Sequence, residues 1–192
     1  MLGSIPGILI SNVAFPKEIE SKIIVHSESC DIILPYLIKS IKHLESAGAD
    51  FIILPCNTLH ALLPRLKSQT NLEITDLVTE VSKEAKKFKR IGIIGTQKTV
   101  NDKLYENRGF QVIYPNKEEQ KEVSEIIIRT IRKTNTPKDK KDITEIMTNL
   151  RERGAERIIF ACTDLSNLNI RNETILDSQK ILVKSIIGSI LN

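Results

Sequence analysis

Glu45-Ser-Ala-Gly-Ala-Asp-Phe-Ile-Ile-Leu-Pro-Cys-Asn-Thr-Leu-His-Ala-Leu62 and Arg151-Glu-Arg-Gly-Ala-Glu-Arg-Ile-Ile-Phe-Ala-Cys-Thr-Asp-Leu-Ser-Asn-Leu168 align without a gap. Seven of the eighteen positions are identical, among them Gly48 with Gly154, Ile52 with Ile158 and Cys56 with Cys162, and Asp50 matches Glu156 in charge. Each window reads as a helix ended by glycine, a short apolar strand, a cysteine at the strand's carboxyl end, and a polar residue opening the next helix. A repeat of this kind predicts two similar lobes.

Outward from the repeat, β-branched runs alternate with stretches of helical spacing. Strands are predicted at 7–11, 51–54, 90–95, 111–114 and 157–161, with weaker ones at 73–75 and 174–176. Helices are predicted at 31–47, 76–88, 100–108, 118–132, 138–153 and 178–191, and the lysine-rich stretch 133–141 reads as a loop. In the last helix Ile181, Leu182, Ser185, Ile186 and Ile190 are spaced to share a face. Ile91-Gly-Ile-Ile94 is apolar without alternation, which suits a strand covered on both sides. Strand following helix following strand is the grammar of an α/β protein with parallel sheets.

The 192 residues suffice for a substantial core, and 41% hydrophobic with 27% charged residues fit a globular chain rather than a disordered one. No apolar run approaches the roughly 20 residues of a spanning helix, and the start shows no secretory pattern. Three cysteines at wide spacing make no disulfide framework, so the expected location is the cytoplasm, with free thiols. The net charge of +4 is concentrated near 83–90 and 129–141. With no Trp and 4% aromatics, stacking platforms for nucleic acid are scarce, and neither a nucleic-acid nor a membrane partner is expected.

The chemistry points to the paired cysteines. Ligands of open α/β sheets sit beyond the carboxyl ends of strands, where Cys56 and Cys162 fall. A helix amino terminus favours thiolate, so each thiol is expected to have a pKa below the usual value of about 8.5. Two thiols facing each other across a cleft suit racemisation: one removes the Cα proton while the other delivers a proton to the opposite face. Asn57, Thr58 and Thr163 offer donors for a carboxylate, and Thr96 and Thr99 offer more after the strand at 90–95. Asp164 is placed to cap a helix, orient Cys162 or meet an ammonium, and His60 to face the cleft from the first helical turn. Gly95-Thr-Gln-Lys-Thr99 lacks the phosphate-loop spacing, and the scattered histidines and absent Cys-x2-Cys pair argue against a metal.

At Pro55-Cys-Asn-Thr-Leu-His60 and Ala161-Cys-Thr-Asp164 the sequence resembles the aspartate/glutamate racemase family, closest to its aspartate branch. The resemblance extends over nearly the whole chain, through Ser11-Asn-Val-Ala-Phe-Pro16, Gly48-Ala-Asp50, Ile93-Ile-Gly-Thr96 with Thr99, and Asp177. It implies two pseudo-symmetric flavodoxin-like lobes, 1–89 with the last helix 178–192 returning to it, and 90–177. It further implies a cofactor-independent racemase of aspartate or glutamate, commonly a homodimer. Cys56 and Cys162 would be the two bases, and Asn12, Lys17, Asn57, Thr58, Thr96, Arg132 and Thr163 would form the substrate site. The chain departs from the family pattern in three respects. The strand and Gly-Gly-Met loop that usually precede the segment starting at Gly7 are not seen, so the first lobe is expected to be incomplete at its N-terminus. Lys17-Glu18 follows Pro16 where an Asp-Arg pair is usual, and Ala161 and Asp164 replace the ends of Gly-Cys-Thr-Glu. Rival expectations are an isomerase or decarboxylase using one cysteine, a non-catalytic relative that binds a small acid, and redox sensing by the cysteine pair.

Overall fold

The structure is a computed structural model that describes residues 7–16, 18, 19, 22 and 29–191. Among the described residues two parallel sheets form. The smaller pairs β1 (Phe51–Ile53) with β2 (Glu73–Thr75), and the larger runs β4 (Gln111–Ile113), β3 (Arg90–Gly95), β5 (Arg157–Ala161), β6 (Ile175–Asp177). The α-helices whose residues are all described are α1 (Leu34–Ser46), α2 (Leu63–Lys67), α3 (Leu77–Ala85), α4 (Gln97–Asn101), α5 (Lys117–Ile131), α6 (Pro137–Glu152) and α7 (Ser178–Leu191).

The repeat is present in three dimensions down to its hydrogen bonds. Gly48 and Gly154 both take positive φ, 83° and 98°. Gly48 N–H donates to Glu45 and Ala49 N–H to Leu44, as Gly154 N–H donates to Arg151 and Ala155 N–H to Leu150. These are the paired bonds that close a helix whose next residue is left-handed, and only glycine enters that region without a Cβ penalty. Each helix thus turns into the strand that delivers a cysteine.

Both faces of the larger sheet are covered, as the unalternating run at 91–94 requires. α5, α6 and the 3-10 turn Thr163–Leu168 bury Val123, Ile126, Ile127, Ile143, Leu150 and Leu165 against one face. The other face receives Leu77, Val81 and Ala85 of α3, Leu182 of α7, and Tyr105. The sequence places α3 and α7 with the first lobe, yet their apolar faces pack on the second sheet. The smaller sheet has a core of its own, from Cys30 and Ile33 through Leu37, Ile41 and Ile52 to Leu66 and Ile74.

Four expectations change. Residues 7–11 form no strand: Ile8 and Ile10 are 82% and 87% exposed, and Ser11 is tied instead to Ser40, whose hydroxyl donates at 2.8 Å. The predicted helix 100–108 is replaced by α4 and a series of turns, because Thr96 caps the helix early and Lys103 and Asn107 adopt left-handed φ of 51° and 56°. The loop at 133–141 is shorter than expected, since Pro137 starts α6 and Thr136 and Asp139 form a capping box. Ile190 remains 39% exposed instead of sharing the packed face of α7. Among the described residues no helix is long and apolar enough to cross a membrane.

Candidate active site

After β1, Leu54-Pro55-Cys56 leads into a 3-10 turn, Thr58–Leu62; after β5, Cys162 itself caps the 3-10 turn Thr163–Leu168. The two turns touch. Thr163 Oγ1 donates to the Pro55 carbonyl at 3.1 Å, joining the residue after one cysteine to the residue before the other. Cys162 is 8% exposed and Cys56 is partly exposed, and the two thiols lie within electrostatic reach of each other.

The thiol electrostatics reverse one expectation. The N–H groups of Leu59 and Thr58 do favour a Cys56 thiolate, and those of Asp164 and Leu165 a Cys162 thiolate. Burial nevertheless outweighs them and pushes both thiols up, Cys162 furthest, with the Asp164 charge adding to the effect. Asp164 is itself raised by burial, against the opposing pull of the Cys162 thiol, whose Sγ donates to its Oδ2 at 3.8 Å. Burial thus disfavours both thiolates, and a cationic group entering the site would favour the ionisation of one of them.

Three buried hydroxyls meet across the lobes beside the cysteine turns. Thr58 Oγ1 is 2.9 Å from Thr96 Oγ1 and 3.3 Å from Thr99 Oγ1, and the last two are 3.0 Å apart. Thr96 also accepts the Thr99 N–H as the cap of α4. Rotatable hydroxyls of this kind can turn their protons toward an incoming carboxylate.

Other expected site residues are placed differently. The Asn57 amide is engaged at both ends, accepting from the Tyr105 hydroxyl and donating to Ser178 Oγ at 2.9 Å. His60 is 6% exposed and spans two backbones rather than facing the cleft: Nδ1 donates to the Cys56 carbonyl at 2.7 Å, while Nε2 accepts the Leu77 N–H at 3.0 Å. That pairing fixes a neutral ring, and burial lowers its pKa. Asn12 is exposed in the segment 7–16, and Arg132 is exposed at the C-cap of α5; among the described residues no hydrogen bond or ion pair ties either to the cysteine turns. Lys17 lies outside the described residues. Tyr105 and Ser178 have no signal in the sequence, because a turn residue and the first residue of a helix, both far from the cysteines, offer no period or spacing to read.

Nearly the whole chain matches a known group of proteins. The family profile described as Asp/Glu/hydantoin racemase matches residues 3–186. The chain belongs to this family. The broad specificity amino-acid racemase RacX of Bacillus subtilis is 29% identical over 156 residues, 77% of this chain and 68% of that protein. A glutamate racemase of Desulforudis audaxviator is 29% identical over 162 residues, 81% of this chain and 59% of its own length. The chain therefore spans only about six- to seven-tenths of these curated racemases. Among solved structures, an aspartate racemase homologue from Pyrococcus horikoshii aligns with a TM-score of 0.71 at 26% identity, covering 89% of this chain and 80% of that one. The aspartate racemase of Picrophilus torridus aligns with a TM-score of 0.71 at 20% identity, covering 88% and 73%, and shares the α/β fold with parallel sheets.

Proposed function

We propose that this racemase-family chain interconverts the enantiomers of a small acidic amino acid, aspartate or glutamate, with Cys56 and Cys162 as the two bases. The observation that carries the reading is the Thr163 to Pro55 hydrogen bond, which holds the two cysteine turns against each other. Family membership and the racemases among its relatives support it.

The substrate's α-ammonium lowers the cost of a thiolate in a site where both thiols otherwise stay protonated. As the ammonium enters, one thiol releases its proton to solvent; the resulting thiolate takes the Cα proton, so the Cα–H bond breaks and an S–H bond forms. The opposite thiol breaks its S–H bond and supplies a proton to the other face of Cα. The proton count is unchanged, and the reverse reaction exchanges the roles of the two sulfurs. The carbanion-like state needs donors at its carboxylate; the Thr58, Thr96 and Thr99 hydroxyls and the N–H groups at the starts of the two 3-10 turns, that of Thr163 among them, supply them. Asp164 is placed to meet the ammonium or to hold Cys162. The cycle closes with these groups alone, so the reading calls for no cofactor. A homodimer is part of the proposal, supported by Val183 and Ile187 standing 50% and 51% exposed on α7.

The test is Cα-proton exchange in deuterated water with D- and L-aspartate and D- and L-glutamate, followed by NMR and chiral separation. Cys56→Ala and Cys162→Ala are each expected to lose racemisation by at least about a thousandfold while keeping the fold. Full activity in either variant removes the two-base mechanism. Exchange with retained configuration would favour the single-cysteine isomerase, and saturable binding without exchange the binding relative.

A further inference from the structure

Behind the Cys56 turn lies a buried polar cluster that the proton transfers do not use. Asn57 and Tyr105 are each 1% exposed and Ser178 is 0% exposed. The Tyr105 hydroxyl donates to Asn57 Oδ1, and Asn57 Nδ2 donates to Ser178 Oγ at 2.9 Å. The three side chains come from three places: the turn that carries Cys56, the turns after α4, and the first residue of α7.

The backbone around Tyr105 is unusual. Lys103 and Asn107, two residues to either side, both hold left-handed φ, 51° and 56°, without being glycine. Left-handed φ is unfavourable for lysine and readily adopted by asparagine. The two residues bracket a turn whose inward residue is the tyrosine, and the phenol ring is seated among Leu77, Val81, Ile91 and Ile93 in the core of the second sheet. Tyr105 is therefore a rigid part of the lobe that carries Cys162, with its hydroxyl bonded to the residue next to Cys56. On the other side, Cys56 is held through its carbonyl by His60, and His60 in turn by the N–H of Leu77.

We propose that Tyr105 is a positioning residue that sets the placement of Cys56 relative to Cys162 by bracing the Asn57 side chain, with Ser178 holding the other end of that amide. The proposal rests on the two-thiol reading above. It assigns the Asn57 amide to the junction between the lobes and leaves its backbone N–H to the substrate side. Two sulfurs must address one carbon from opposite faces, and a misplacement of about 1 Å can cost on the order of a hundredfold in rate. A ring fixed in one lobe and bonded to the other limits such drift.

The experiment replaces Tyr105 by Phe, which keeps the ring and deletes the hydroxyl, and also makes Ser178→Ala, which breaks the other end. For each, kcat and KM are measured by chiral assay, and iodoacetamide labelling of Cys56 and Cys162 is followed separately by mass spectrometry. The expected result is a fall in kcat of about 10- to 100-fold with KM within about twofold of the parent. The Cys56 labelling rate is expected to change at least about threefold while that of Cys162 holds. A merely structural loss would move both labelling rates together or raise KM in step. That outcome, or unchanged kcat in both folded variants, overturns the proposal. Should the parent exchange no Cα proton from any of the four substrates, the racemase reading fails, while the labelling ratio still decides whether Tyr105 positions Cys56.

Discussion

At the scale of single residues, the site depends on what burial does to groups that a sequence reads as freely titrating. His60 is the clearest case. The fold holds its neutral form, with one nitrogen donating to Cys56 and the other accepting from Leu77. Its folded pKa lies below the ordinary value, so its stabilisation is fully present above about pH 6.5 and is lost as the pH falls toward the folded pKa. His60→Leu leaves a buried carbonyl and N–H unpaired and is expected to cost about 2 kcal/mol at pH 7. The gap between parent and variant should narrow on going to pH 5, as measured by urea unfolding at both values; a gap that widens in acid would mean the ring is held charged. The sequence singles out Cys56, Thr58, Thr96, Thr99, Cys162 and Thr163 because all fall at strand or helix ends. It does not show which way they face. That Asn57 turns to Tyr105 and Ser178, and the Nε2 of His60 to Leu77, depends on partners 17 to 121 positions away. No local spacing encodes those contacts.

At the scale of elements, the second sheet was legible because burial on two faces leaves a continuous apolar record. β3 and β5 fall at the bounds their apolar runs predict. The failures lie where backbone conformation rather than hydrophobicity decides, as with the left-handed Lys103 and Asn107, or where an apolar run lacks a ladder partner, as at 7–11. Within β3 the two glycines have different duties. A Cβ on Gly92 would meet Ile158 Cδ1 at 2.6 Å and Leu150 Cδ1 at 3.2 Å, the movable ends of long side chains. One on Gly95 would lie 2.8 Å from the Ala161 carbonyl oxygen and 3.0 Å from its Cβ, in the strand that ends just before Cys162. Backbone cannot swing aside, so Gly95→Ala must push β3 and β5 apart next to the site. Thermal unfolding is expected to show Gly95→Ala losing about 1–3 kcal/mol and Gly92→Ala less. The reverse order would show that the Ile158 and Leu150 side chains, not the strand spacing, are the stiff part.

At the scale of the whole molecule, the two halves of the site rest on foundations of unequal strength. Among the described residues Cys162 follows one of the two central strands of a four-stranded sheet covered on both faces, whereas Cys56 follows one of a pair of three-residue strands. Two-stranded units are marginal on their own, so the first half depends on α1 and α2 and on the polar ties to the second lobe through Thr58, Asn57 and Thr163. Its amides should open at lower free energy than those of the second sheet. In hydrogen exchange, peptides covering β1 and β2 are expected to exchange at least about tenfold faster than those covering β3 and β5. A substrate bound between the cysteine turns must leave whenever the first half opens. At about 100 times its dissociation constant it adds about 2.7 kcal/mol against that opening, a slowing of roughly a hundredfold. The slowing should be concentrated at β1, β2 and the Cys56 turn when aspartate or glutamate is added. Protection that appears only in β3 and β5 would place the ligand on the second lobe alone, and the two cysteine turns would then not share one substrate.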